Sequence, residues 1–141
     1  MTLSHGRMYR FSADISALPD ILAHLEELCP KSEKAVVQKA VTSIEELFTN
    51  SVYHGLRDEG ETPDIGLAVS EEDGVLHVRY EDGFRAFDPF QDLELVNEQA
   101  GQLIEQRPVG GLGRLIVRGL ADKASYTREG CLNRIDLSFK P

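Results

Sequence analysis

The chain has 141 residues, with 15 Lys and Arg against 24 Asp and Glu, a formal charge of −9, 41% hydrophobic and 28% charged residues. That balance is globular, matches the length of one domain and excludes wholesale disorder. A net acidic chain is poorly suited to general nucleic-acid or anionic-membrane binding, since both rest on a basic surface.

Cys29 and Cys131 stand far apart, without the CxxC or Cys/His spacing of a zinc site. Two lone cysteines fit reduced thiols better than a disulfide framework. Met1 to Phe11 lacks the apolar core of a signal peptide, and no window is apolar for the length of a membrane span. The expected setting is the cytoplasm.

In chain order, Met8 to Ala13 reads as a short strand. Ser16 to Leu28 reads as a helix with Leu18, Ile21, Leu22, Leu25 and Leu28 on one face. Ser16 is its expected N-cap, Pro19 falls in the first turn, and Pro30 ends it. Ser32 to His54 is the longest helical pattern, capped by Ser32 and stopped at Gly55. Arg57 to Asp64 reads as a loop. Ile65 to Val69 and Val75 to Tyr80 alternate apolar and polar residues around Asp73-Gly74, a hairpin signal. Glu81 to Gln91 is expected to be a loop, Leu93 to Ile104 a helix, Gln106 to Gly113 a loop, and Leu115 to Ala121 a helix. Lys123 to Arg128 and Asn133 to Phe139 close the chain as a second hairpin. Grouped helices and paired strands predict an α+β fold: a mixed, mostly antiparallel sheet with helices on one face.

Three segments can carry chemistry. In the long helix, Glu46 and Asn50 lie about 40° apart around the axis, in line with His54, whereas Glu45 and Asn50 are roughly 140° apart. An amide oxygen is a hard ligand suited to Mg²⁺, and a carboxylate one turn away can take a proton from an attacking hydroxyl. By itself this pair is no more than a polar helix face. The second segment, Glu81-Asp82-Gly83-Phe84-Arg85-Ala86-Phe87-Asp88-Pro89, follows a strand and can offer a carboxylate to an amine such as that of adenine; alone it reads as a surface turn. The third, Arg107-Pro108-Val109-Gly110-Gly111-Leu112-Gly113-Arg114, precedes a helix, so its backbone N–H groups and Arg107 can meet phosphate. It is neither a GxxxxGK[ST] loop nor a GxGxxG turn with a following acid.

The order of these pieces resembles the anti-sigma-factor serine/threonine kinases of bacterial partner-switching systems, single-domain members of the GHKL, or histidine-kinase-like, ATPase superfamily. The resemblance runs from about Met8 to Phe139. It rests on Glu46-Leu47-Phe48-Thr49-Asn50 through His54-Gly55, on Phe87-Asp88-Pro89, on Gly110-Gly111-Leu112-Gly113 leading into Leu115 to Asp122, and on Tyr126 to Gly130 with Asn133. It implies one Bergerat-type two-layer α/β sandwich over residues 1–141. It further implies bound ATP and Mg²⁺, Asn50 as magnesium ligand and Glu46 as general base. Asp82 and Gly83 would hold adenine, while Gly110, Gly111, Leu112 and Gly113 would form the phosphate end of a lid, with Arg107 near the terminal phosphate.

The spacing departs from the family at one point. Three residues, not two, separate Gly83 from Phe87, so counting from Gly83 puts Glu81 at the adenine position. Counting back from Phe87 puts Asp82 there and Phe84 where glycine is expected; Asp82 is the favoured choice. The implied partners are an antagonist protein carrying the phosphoacceptor serine and a sigma factor or other regulatory target, with a possible homodimer. The alternative is a module that sequesters a partner without phosphorylating it. A histidine-kinase catalytic domain fits less well, because no phosphoacceptor helix hairpin precedes the ATPase-like region.

Overall fold

The computed structural model describes residues 6–57, 63–91, 93 and 111–141. Strand β1 (Tyr9–Ser12) leads through a single 3-10 turn into α1 (Leu18–Glu27) and α2 (Lys34–His54). Next come β2 (Asp64–Glu72) and β3 (Val75–Asp82), then α3 (Gly111–Leu120), β4 (Lys123–Glu129) and β5 (Leu132–Phe139). The strands form one sheet in the order β1-β2-β3-β5-β4, antiparallel at every described pairing.

Alternation along the strands sorts side chains onto two faces. Leu67, Val78, Tyr80, Ile135 and Leu137 share a core with Ile21, Leu25, Ile44, Leu47 and Phe48 of the first two helices and Val117 of α3. All three helices therefore draw on one face of the sheet, as expected. Burying each large apolar side chain there contributes about 1.5–3 kcal/mol. The other face carries cross-strand ion pairs. Arg79 Nε donates to Asp136 Oδ1 at 2.7 Å, and Arg134 Nε donates to Glu81 Oε2 at 2.7 Å. Arg10 also approaches Glu81, at 3.7 Å. It does so across Gly66, where a Cβ would lie 3.1 Å from Arg10 Nη1 and 2.8 Å from Met8 Sδ.

Both hairpins form where expected. Asp73 (φ 52°) and Gly74 (φ 79°) are both left-handed, the geometry that the right-handed twist of a two-residue hairpin favours. The helix ends differ from expectation. Ser16 does not cap α1; its N–H and hydroxyl both donate to Asp14, which shapes the 3-10 turn. Ser32 does not cap α2, because Glu71 on β2 accepts its hydroxyl at 2.6 Å and the Lys31 N–H at 2.9 Å. Gly55 does end α2, but in an extended conformation (φ −64°, ψ 134°) that any residue adopts. Glycine is needed there for space: a Cβ would sit 2.6 Å from the Phe84 ring. Helix α3 begins by Gly111, ahead of the Leu115 that the periodicity marks. The helix expected over Leu93 to Ile104 falls, apart from residue 93, outside the described residues.

Cys29 is buried beside Glu71, and burial followed by that negative charge pushes its thiol up to about 11. Cys131 is exposed on the β4–β5 hairpin. A disulfide-exchange reagent at mildly alkaline pH should therefore modify Cys131 quickly and Cys29 only on unfolding, since the thiolate is the reactive form. Rapid labelling of both thiols in the native protein would contradict this core.

Candidate nucleotide cleft

Between the C-terminal half of α2 and the ends of β3 and β5 lies a cleft of about 330 Å³. Its walls include Asn50, Ser51 and His54 of α2, Tyr80 and Asp82 of β3, Phe84 to Phe87 of the following loop, Arg114 of α3, and Asn133 of β5. Asn50 and Asp82, assigned from separate motifs, thus meet at one site.

Asp82 belongs to the helix-facing row of β3, two residues after Tyr80, and is 7% exposed. Its Oδ1 accepts from the Phe84 N–H (3.1 Å) and Asn133 Nδ2 (2.8 Å), and its Oδ2 accepts from Ser51 Oγ (2.8 Å). Two carboxylate oxygens offer about four acceptor positions, so capacity for a ligand donor remains. Glu81 points to the opposite face, toward Arg134 and Arg10, and does not line the cleft. Strand alternation therefore separates the two acids and puts Asp82 alone on the cleft. Gly83 lies off the cleft wall, where a Cβ would be in ordinary contact with Pro63 at 3.5 Å.

Beneath Asp82 runs a hydroxyl chain. Tyr80 OH lies 2.6 Å from Ser51 Oγ. A serine has one proton to give and a carboxylate only accepts, so Tyr80 donates to Ser51 and Ser51 to Asp82. Complete burial, followed by the charge of Asp82, raises the Tyr80 phenol well above its ordinary range, which keeps it a donor.

Asn133 is the residue that the motif reading left out of the site. Its Oδ1 accepts from the Phe87 N–H (3.1 Å), Tyr126 OH (2.6 Å) and Arg128 Nη1 (3.2 Å). Its Nδ2 also donates to Arg85 O at 2.9 Å. The signal that could have found it is a polar residue at the inward position of a strand that continues with Ile135, Leu137 and Phe139.

Glu46 sits one turn back from Asn50 and outside the cleft lining, half-buried where α3 closes on α2. A side chain at Gly113 would collide with Glu46 Oε2, so the glycine lets α3 approach that carboxylate. Gly111 and Leu112 lie in the first turn of α3 and their side-chain surroundings are outside the description, as are Arg107 and Gly110 altogether.

The donor set suits an ATP–magnesium ligand at the positions described. The side-chain Nδ2 of Asn50 is buried without a hydrogen-bond partner among the described residues, although its residue lines the cleft. An orphaned N–H donor calls for an acceptor such as a phosphate oxygen, and the Oδ1 of the same amide is the atom that would meet magnesium. No cluster of three or more His, Cys, Asp or Glu that could hold a metal by itself occurs among the described residues. Magnesium, which keeps several waters and uses phosphate oxygens, does not need one.

The family model described as "Histidine kinase-like ATPase domain" matches residues 11–139. The chain belongs to this family. Among solved structures, it is similar to the RsbU and RsbW domains of Rv1364c from Mycobacterium tuberculosis, at 16% identity and a TM-score of 0.61, over 95% of this chain and 32% of that one. It is also similar to the histidine kinase domain from Erythrobacter litoralis EL346 blue-light activated histidine kinase, at 16% identity and a TM-score of 0.51, over 88% of this chain and 59% of that one. It therefore spans about a third of the first of these chains and under two thirds of the second. At such identities the likeness establishes the fold alone. Among curated proteins, none matches the chain in sequence. No helix among the described residues is long and apolar enough to cross a membrane.

The hydroxyl chain makes a quantitative prediction. Ser51→Ala should lower unfolding free energy by about 1–3 kcal/mol, because it removes a donor to a buried carboxylate and leaves Tyr80 OH only the longer bond to Leu47 O, at 3.4 Å. Adding Tyr80→Phe to that variant should cost less than Tyr80→Phe does alone, and urea denaturation of the double-mutant cycle measures the difference. Strict additivity would show that the two hydroxyls act independently.

Proposed function

We propose that this histidine kinase-like ATPase domain is a Mg-ATP-dependent serine/threonine protein kinase of the partner-switching type. Its substrate is a serine on a small antagonist protein, and it sequesters a sigma factor or other regulatory target in the cytoplasm, acting as a homodimer. The observation that carries the proposal is the meeting of the unpaired Asn50 amide and the anchored Asp82 carboxylate in one cleft, within this family.

Asp82 accepts the exocyclic amine of adenine, and its three protein donors hold it in place for that contact. Asn50 presents its amide oxygen to magnesium. Bound magnesium supplies neutralisation of charge on the phosphate oxygens. Glu46 takes the proton from the attacking serine hydroxyl, and the approach of α3 at Gly113 limits the water around its carboxylate. Gly110, Gly111, Leu112 and Gly113, with Arg107, serve the phosphates.

One feature favours the alternative of a nucleotide-independent sequestering module. Phe84 lines the cleft where the resembled kinases carry glycine, and its ring rests against Gly55.

Calorimetric titration of Mg-ATP, followed by a transfer assay with the cognate antagonist, separates the readings. Wild-type protein should bind in a magnesium-dependent way, and Asn50→Ala should lose that dependence. Glu46→Gln should bind normally and transfer phosphate about 10²–10⁴-fold more slowly. Full transfer by Glu46→Gln would remove the base. Absence of ATP binding together with intact partner binding would establish the sequestering module.

A further inference from the structure

Arg114 is unassigned by either the motif or the resemblance. It follows Gly113 in the first turns of α3 and lines the cleft. Its guanidinium carbon lies 5.4 Å from the centre of the Phe87 ring. Its Nη1 donates to Gln91 O at 3.1 Å and to Pro89 O at 3.4 Å. These partners are neutral, and no carboxylate lies within ion-pair distance of Arg114 among the described residues. Its Nε and Nη2 donate to no described residue.

Arg79 and Arg134 are spent on acids, Asp136 and Glu81. Arg128, like Arg114, is bonded to neutral acceptors, but its bonds tie it to the loop after β3 and to Asn133. Arg114 instead has its plane set by an aromatic ring and its near side fixed by carbonyls, with donors left over. A guanidinium held this way matches two oxygens of a phosphate at once. The low dielectric of a cleft strengthens such a contact relative to open solvent.

We propose that Arg114 is a phosphate-binding residue of the cleft, gripping the polyphosphate of a nucleoside di- or triphosphate and making affinity depend on the phosphates as well as on the base. This rests on the nucleotide reading of the site. Because the same guanidinium is tied to the backbone of residues 89 and 91, it also links the phosphate to the loop that carries Phe87. Asp82, deep on β3, serves the base end independently.

The test compares ATP, ADP and adenosine by calorimetry on wild type, Arg114→Met and Arg114→Lys, with thermal melting as a check of folding. Arg114→Met keeps the apolar stem over Phe87 and removes the charge. It should weaken ATP and ADP by about tenfold or more, the scale of hydrogen bonds to charged groups, and leave adenosine unchanged. Arg114→Lys should lie between, since it keeps the charge and loses the fork; it also carries the test if the methionine variant does not fold. Parallel weakening of all three ligands, or no change in any, would overturn the role of Arg114 while leaving the nucleotide reading intact. Failure of wild type to bind any of the three would overturn both.

Discussion

A carboxylate inside the helix-covered face of a sheet has to be satisfied, and much of this molecule is arranged around satisfying Asp82. Removing such a group from water costs several kcal/mol unless donors replace the solvent. The donors come from three directions: a hydroxyl on α2, a backbone N–H in the loop after β3, and an amide on β5. Each is neutral, so Asp82 is anchored by hydrogen bonds rather than by an ion pair. Asn133 then passes the constraint outward, since the same amide orders Phe87, Tyr126 and Arg128. One buried acid is thereby joined to the loop after β3 and to the β4–β5 hairpin.

Its sequence neighbour shows the opposite solution. Glu81 is equally buried, yet it faces the other side of the sheet and is met by guanidinium groups. Gly66, lacking a side chain, leaves the path along which Arg10 crosses from β1. Two adjacent acids thereby serve separate ends: one closes an ion-pair row on the open face, and the other faces the cleft.

Local rules made most of this architecture legible. The apolar stripes of α1 and α2, and the Asp73-Gly74 turn, follow from periodicity and turn chemistry alone. That Asp82 rather than Glu81 faces the helices was also legible in principle, because Leu76, Val78, Tyr80 and Asp82 keep one parity along β3. Counting spacings from Gly83 obscured it. What local rules could not supply were relationships between distant elements. Ser32 lost its capping role to Glu71, a residue that only the fold brings near. Gly55 is the helix stop that the pattern marks, but the reason for glycine there is room for Phe84. The inward position of Asn133 shows in its own strand, but its meeting with Asp82, and that of Arg114 with the cleft, come from sheet order and helix placement.

The bond between Asp82 and Asn133 joins residues separated by 51 positions, across the β3–β5 pairing. Closing so long a loop costs entropy before any contact repays it. During synthesis, β3 is made well before β5, and until then the Asp82 carboxylate lacks its amide partner and favours water. The early hairpin of β2 and β3 can pair, but its inner face cannot be sealed at that end. Completion of the site and completion of the fold are therefore one event, and a chain in which β5 has yet to pair exposes the apolar face that a chaperone would recognise.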